Sequence, residues 1–400
     1  MPMPLEGVRI LDLSVFQQGT HASAMLADLG ADVIKIESYD TPDPGRGSGG
    51  DPGANGIRPY FAILNRNKRG IALDLKNPVG RETFLKLCET ADIFHSNMRI
   101  GVLERMHLSY DVVKARNPRI IFSQATGWGH LGPDAEAQLG SVDGLAQARG
   151  GLLSINGTKE SGPHNVPLSL ADQIGGMISA FGMMVALWER EQSGVGQEVN
   201  TSLYGSQLAL QNFNITNAMW NGKNPELRGK DEARPHWGTY TCKDGGLLMV
   251  AGTTPDRWWK DFCDALDAPE CGEGTYSKNQ VDTAWCVRTR ARLGQSFATK
   301  TRDEWMATLS PRFLVQPVRT YLEIAQDPQA WANDYLTHVP HGEGDPLPVV
   351  GLPVHMSRTP GSVRSLAPEV GQHTEEVLLE AGWSWEEIAA MREAGAFGKG

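Results

Sequence analysis

The chain reads as an α/β protein, a large open and mostly parallel sheet interleaved with helices, followed by a smaller α+β segment. Three observations lead there. Short apolar runs alternate with helix-periodic stretches from residue 8 to residue 127. Composition then shifts over 221–236 to a polar, glycine-bearing stretch that precedes a hairpin pattern. Finally, 400 residues at 40% apolar content supply core enough for a large unit and a smaller one. The expected division is 1–221, 222–330 and a return segment at 331–400.

Val8–Ser14 is a short apolar run that reads as a buried strand, His21–Leu29 has helical spacing that Gly30 ends, and Asp32–Glu37 is a second strand. Strand, helix and strand within about 30 residues make a right-handed βαβ unit. The turn after the first strand, Val15-Phe-Gln-Gln-Gly-Thr20, lacks the glycine fingerprint of dinucleotide sites. A formal G-x-G-x-x-G stands at Gly45–Gly50, but inside the Pro/Gly/Asp-rich stretch Asp40–Ala54, which reads as a mobile loop able to act as a lid. Arg66-Asn-Lys-Arg69 leads into a strand at Ile71–Leu75, and Lys76-Asn-Pro-Val-Gly80 starts a helix reaching Glu89. That basic cluster is either a solvated strand terminus or a phosphate contact.

Strand Ile93–Asn97, the turn Met98–Gly101, a short helix over Leu103–Met106, a helix from Tyr110 and strand Ile120–Ala125 continue the alternation. After a long central helix, Gln197–Leu203 reads as a strand and Tyr204–Asn217 as a helix. Gly238–Ala251 is two strands about an Asp-Gly turn, hence a hairpin. Helices follow from Asp256, near Ala284, from Thr301 and over Arg319–Ala325. Trp331–Pro360, rich in His, Pro and Gly, reads as a linker, and the tail carries helices over Thr374–Ala381 and Trp385–Ala394, broken at Gly382.

A net charge of −10 argues against a nucleic-acid surface, so any phosphate site needs a local basic cluster. Five cysteines, an odd number without a C-x-x-C pair, argue against a disulfide scaffold and against zinc, and no metal site is expected. The N-terminus lacks the pattern of a signal peptide. The longest apolar helix, Ile174–Trp188, is interrupted by Gly and Ser and reads as too short to span a bilayer. A cytoplasmic protein without a membrane partner is the expectation, and no period of 20–50 residues marks a solenoid.

The chain is organised around Val166–Arg190, a loop running into that helix with one acid, Asp172, at its mouth. With Ser169 as N-cap, Asp172 falls in the first turn, where free amides and the macrodipole keep a carboxylate ionised. Gly175 and Gly176 follow, and each costs about 1 kcal/mol relative to alanine, so something approaches that backbone closely. On spacing alone a second reading stays open, a capping box followed by two packing glycines.

The order Leu170-Ala-Asp-x-x-Gly-Gly176, an apolar helix, Ala186-Leu-x-x-Arg190 and then Ser193–Val199 resembles class III CoA-transferases, the CaiB/BaiF family that includes formyl-CoA transferase and the alpha-methylacyl-CoA racemases. Pro4–Leu13, Leu29–Glu37, Asn67–Leu75, Asn97–Arg105, Asn117–Ile121 and Ala367–Leu378 look like further blocks of that family, so the resemblance covers almost the whole chain. It implies a Rossmann-like large domain that binds CoA and is built from both chain ends, a smaller α+β domain, and a homodimer of interlocked subunits. It implies no permanently bound cofactor, with acyl-CoA and a carboxylic acid as the substrates.

In the family the residue matching Asp172 attacks an acyl-CoA thioester and passes through a mixed anhydride and an aspartyl-CoA thioester. Gln17 matches a glutamine beside the reacting carbonyl. Asn97, Met98, Arg99 and Arg105 match the turn that contacts CoA, with the arginines suited to its phosphates, and Gln18, Leu73, Lys76, Leu139 and Ser141 occupy other CoA-contact positions. Asp143 stands where transferases often carry an acid, or else caps a helix. Arg234, His236 and Trp237 stand where the order of the family puts the opening of the acceptor pocket.

The chain departs from formyl-CoA transferase at Ser38 and Gly140, where basic residues are usual, and shows no run of glycines between Leu227 and Asp256. Oxalate or formate is therefore not the expected substrate pair. A racemase would carry a histidine in a Gly-His-Asp segment as the second base, and here that segment is Gly140-Ser-Val-Asp143. A racemase-type epimerase and a non-catalytic CoA-binding protein are the alternatives to transfer.

Overall fold

A computed structural model describes residues 2–52, 56–229, 234–342 and 344–398. Its main feature is a six-stranded sheet whose members we number β1 (Arg9–Leu13), β2 (Asp32–Glu37), β3 (Arg69–Ala72), β4 (Ile93–Ser96), β5 (Ile121–Thr126) and β6 (Glu198–Ser202). The strands lie in the order β3-β2-β1-β4-β5-β6 and every pairing is parallel, with Ile10 opposite both Val33 and Ile93. Strands buried on both faces read as continuous apolar runs, which is why β1, β2, β4 and β5 stand out in the sequence. The order reverses between β1 and β4. In open sheets of this kind the crevice beyond the strand ends at such a reversal is where ligands bind.

One face of the sheet carries Phe84, Phe94 and Phe122 in edge-to-face contact at centroid distances of 5.0 and 5.1 Å. The tail packs into this same core through Val377, Leu378, Trp383, Ile388 and Phe397. On the other face lie α1 (Gln18–Asp28) and α2 (Leu170–Ser193), joined by Ala22, Leu26, Ala180, Met183, Ala186 and Leu187. One compact unit comprises Met1–Leu153, Asn165–Lys223 and Gln329–Gly400.

The other unit comprises Ser154–His164 and Asn224–Pro328. It holds an antiparallel sheet in which Leu247–Ala251 lies between Trp237–Thr241 and Val315–Pro317. Its core is aromatic, with Trp259, Phe262, Tyr276, Phe297 and Trp305 all buried. A two-stranded hairpin, Gly157–Thr158 with Gly162–Pro163, also falls in this unit.

Several elements differ from the sequence reading. α1 begins at Gln18, because the polar Gln-Gly-Thr-His start is helical without helix-periodic apolar residues. The third strand is Arg69–Ala72, two residues earlier than the apolar run suggests. Tyr204–Asn217 is two helices, Leu203–Leu210 and Asn212–Asn221, parted at Gln211. The segment read as a linker contains an antiparallel pair, Leu336–His341 with Gly344–Val350, whose three prolines and irregular register mask its alternation. The central helix is 24 residues long and holds an 18-residue window of mean hydropathy 1.4, so length and composition do not bar it from a bilayer as Ile174–Trp188 alone suggested. Its packing against α1 through Gly175, Gly176, Ala180, Met183 and Ala186 makes it a core helix on that face.

Candidate active site

The turn between β1 and α1 is held from three sides. Asn97, just past β4, accepts from Val15 N at 2.8 Å and donates to Val15 O at 2.8 Å. Lys35 of β2 donates to Ser14 O at 2.8 Å, and Asp43 accepts from Phe16 N at 3.0 Å. Phe16 consequently sits in the left-handed region at φ 57°, a conformation that costs a non-glycine residue about 1–3 kcal/mol and needs such enforcement. Gln17 follows as the residue before the helix and Gln18 as its first residue, both buried. The first-turn amides of α1 have no intrahelical acceptor and open toward the crevice.

Beneath this turn lies a buried ionic layer. Lys68 donates to Asp12 at 2.8 Å, to Thr20 O at 3.0 Å and to Asn65 at 2.8 Å, while Lys35 pairs with Asp43 at 2.9 Å. His95 bridges Ser123 at 3.0 Å and Gly19 O at 3.2 Å, and burial lowers its pKa so that the ring is neutral at pH 7. Burial opposes the Asp12 charge, yet Lys68 and Lys35 together hold its carboxyl well below the usual range. Each charge is compensated at close range, which buried ions require.

Asp172 lies in the first turn of α2 and is partly buried. The expectation that, behind a Ser169 cap, free first-turn amides and the helix dipole keep it ionised is overturned. Ser169 makes no side-chain cap. The cap comes from Asp143, whose carboxylate accepts from Ala171 N and, at 3.2 Å, from Asp172 N. Burial first, and the Asp143 charge second, push the Asp172 carboxyl up to about 7. Desolvation and a like charge outweigh the dipole, whose effect is about 0.3–1 kcal/mol at an exposed end. Among the described residues, the Asp172 carboxylate accepts no hydrogen bond, so it is a carboxylate raised in basicity and free to attack.

What approaches the glycine pair is α1. A Cβ on Gly175 would lie 2.9 Å from Gln18 Nε2, and one on Gly176 would lie 2.9 Å from Gln18 O and 2.8 Å from the His21 ring. The glycines thus bring the mouth of α1, with Gln17 and Gln18, against α2 one turn beyond Asp172. Gln18 Nε2 is buried without a partner. The Asp40–Ala54 stretch, read as a mobile loop able to act as a lid, is instead tied down around Pro44–Gly47. Pro44–Gly47 forms a helical turn capped by Asp43, and Arg46 donates to Glu37 at 2.8 and 2.6 Å. Gly53 and Ala54, at the end of that stretch, lie outside the described residues.

Most other candidates gather at the ends of β1, β4 and β5. Met98 O accepts from Gln124 at 3.3 Å. Arg99 is exposed, and its guanidinium occupies the space a side chain at Gly140 would need, with a Cβ there falling 2.6 Å from Arg99 Cζ. The position where a basic residue is missing therefore has a basic group supplied from residue 99. Arg105 is exposed and donates to Gln138 at 3.1 Å, Leu139 is exposed, and Ser141 packs on Gly127 just beyond β5. Past β3, Lys76 is exposed, whereas Leu73 is a core residue, 2% exposed, that offers a ligand little beyond its backbone.

The sequence reading missed Tyr60, which lies within electrostatic reach of Asp172 and Asp43. Burial, then these two charges, push its pKa up to about 12. Nothing local in Pro59–Leu64 signals this, because the neighbours come from distant segments. In the second unit Arg228, Arg234, His236 and Trp237 line a cavity of about 440 Å³. Among the described residues no cluster of His, Cys, Asp and Glu is placed to hold a metal ion.

A profile of CoA-transferase family III matches residues 5–374 of the chain. The chain is 32% identical to the (R)-2-hydroxy-4-methylpentanoate CoA-transferase of Clostridioides difficile, over 98% of this chain and 99% of that one. It is 29% identical to the succinyl-CoA:mesaconate CoA-transferase of Haloarcula hispanica, over 94% and 96% respectively. Among solved structures it resembles a CAIB/BAIF family protein from Brucella suis with a TM-score of 0.84 and 27% identity, covering 95% of this chain and 100% of that one.

Proposed function

The chain belongs to CoA-transferase family III, and from that membership we propose that it moves CoA from an acyl-CoA donor to a carboxylic acid through Asp172. The observation that carries this reading is the unpartnered Asp172 carboxylate, pushed up to about 7, one helical turn from the glycine pair that seats α1 and its two glutamines.

An Asp172 oxygen attacks the thioester carbonyl, the C–S bond breaks and CoA leaves as thiolate, giving an acyl-aspartyl anhydride. The thiolate attacks the aspartyl Cγ, and the donor acid departs with the bridging oxygen. The acceptor carboxylate then attacks the aspartyl-CoA carbonyl and expels thiolate, which attacks the acceptor's own carbonyl and returns Asp172 as a carboxylate. Two residue groups assist. The Gln17 amide and the α1 amides stabilise the oxyanion formed in each addition, and Arg99 with Arg105 takes the CoA phosphates. Water has to be kept from the anhydride, since hydrolysis would lose the thioester energy.

The named activities of the relatives span hydroxy acids and unsaturated dicarboxylates, so a panel of both classes is the place to seek the acceptor. Incubation with acyl-CoA and hydroxylamine is expected to yield a hydroxamate at Asp172, and Asp172→Ala to abolish exchange with CoA affinity held within about tenfold. A fully active Asp172→Ala variant would end this assignment.

We further propose a homodimer in the cytoplasm. Phe181 (67% exposed), Trp188, Phe213 and Trp220 (84% exposed) leave apolar surface on α2 and the helices after β6, of the kind a second copy covers. All five cysteines are free thiols, which suits a reducing compartment. Sedimentation at the mass of one chain would contradict the dimer.

A further inference from the structure

The geometry points to the buried Lys35–Asp43 pair as a positioning device for the reaction, acting through the turn that precedes Gln17. This rests on the reading in which Gln17 and the α1 amides face the reacting carbonyl. Neither side chain reaches solvent, and besides bonding each other both bond the same short piece of backbone. Lys35 holds the carbonyl of Ser14 at 2.8 Å. One oxygen of Asp43 receives Lys35 at 2.9 Å, and the other takes Phe16 N at 3.0 Å and Gly45 N at 2.8 Å. The pair thus grips both ends of Ser14–Phe16, while Asn97 holds Val15 between them.

What this grip fixes is a left-handed Phe16, at φ 57°. An L-residue leaves that basin unless it is held there. A swing of Phe16 to a negative φ would rotate the following peptide, which carries the Gln17 N–H, and re-aim the start of α1. The Phe16 side chain is about half exposed, so its own packing does not hold the turn. Asp43 is itself seated, since its N–H donates to Glu37 at 3.0 Å, and Glu37 is clamped by Arg46. A buried ion pair is a weak source of stability, which leaves geometry as the reason for having one here.

The test compares two variants that both remove the buried charges. Lys35→Met/Asp43→Asn keeps an acceptor for Phe16 N, whereas Lys35→Met/Asp43→Leu, of similar volume, does not. The asparagine variant, which gives up the Lys35 hold on Ser14 O but keeps the one on Phe16 N, is expected to lose kcat in part, by about three- to tenfold, and the leucine variant to fall at least tenfold below it, with acyl-CoA KM in both within about threefold. Equal kcat in the two variants, or a leucine variant whose KM rises as much as its kcat falls, overturns the proposal. Should the leucine variant fail to fold, Phe16→Pro asks the same question from a half-exposed site, since proline removes the N–H and bars a positive φ. Phe16→Ala, which loses only the ring, is then expected to be at least tenfold faster than Phe16→Pro, and equal rates overturn the proposal. Hydroxylamine trapping on the wild type separates the two levels. If Asp172 is not trapped there, the transfer reading fails. If it is trapped equally fast in the leucine variant, only the positioning role fails.

Discussion

Substituting the two glycines of α2 one at a time should separate their roles, because their surroundings differ. A Cβ on Gly176 would meet the His21 ring at 2.8 Å and, at 2.9 Å, the backbone oxygen of Gln18, which α1 holds in place. Ordinary carbon contacts begin near about 3.5 Å, so α1 must move by roughly 0.5–1 Å. The overpacking costs about 1–3 kcal/mol and the gain in helix propensity returns about 1, a net loss of about 0–2 kcal/mol. Catalysis should suffer more. A displacement near 1 Å costs about 100-fold, so kcat of Gly176→Ala should fall by about 10- to 100-fold while the protein stays folded. A Cβ on Gly175 meets instead the amide end of the Gln18 side chain at 2.9 Å, which can rotate away. Gly175→Ala should therefore keep kcat within about threefold and show its effect in KM for acyl-CoA. Steady-state kinetics on both variants, with circular dichroism to verify folding, is the assay. Equal kcat for the two, or a Gly176→Ala enzyme within twofold of wild type, would refute the idea that this helix contact sets the site.

Three further outcomes follow from the same geometry. Asp143→Asn retains an acceptor for the α2 amides but removes the charge that helps raise Asp172, so the pH midpoint of single-turnover acylation should move below about 7, though only partly, since burial is the larger cause; an unmoved midpoint would contradict this. Because the Asp172 pKa in the fold lies above its unfolded value, the cost of its charge is absent below about pH 4, grows between 4 and 7 and is complete above 7. Asp172→Asn should accordingly be the more stable protein at pH 8, by up to about 4 kcal/mol in denaturant unfolding, with the difference vanishing toward pH 4. Arg99→Gln should raise acyl-CoA KM by about tenfold with little change in kcat, an effect that shrinks with added salt, and a change confined to kcat would place Arg99 elsewhere than on the phosphates.

How much of this was legible in the sequence depends on where each signal originates. β1, β2, β4 and β5 were readable because burial on both faces writes uninterrupted apolar runs, and α2 because its glycines and apolar length are local. The strand pair at 336–350 was not, since its prolines imitate a linker. Asp172 could be singled out, but its elevated pKa could not, because both causes are tertiary: burial, and a charge from Asp143 on another helix. Tyr60 and the Lys35–Asp43 pair fall in the same class. Lys35 sits in a strand reading Asp-Val-Ile-Lys-Ile-Glu, where alternation alone suggests a solvent-facing lysine, and only the fold reveals that it is wholly buried beneath the turn that leads into α1. Conversely, Leu73 matched a family position, yet the fold assigns its side chain to the core.

The central claim is that Asp172 exchanges oxygen with both acids in every cycle. Turnover with an acceptor labelled by ¹⁸O in its carboxylate, followed by digestion and mass spectrometry, reads this directly. Each cycle hands one Asp172 oxygen to the departing acid and takes one from the acceptor, so the peptide spanning Asp172 should gain about 2 Da, and then about 4 Da, while every other acidic peptide stays unlabelled. Sustained turnover that leaves the Asp172 peptide at its natural mass would contradict the account.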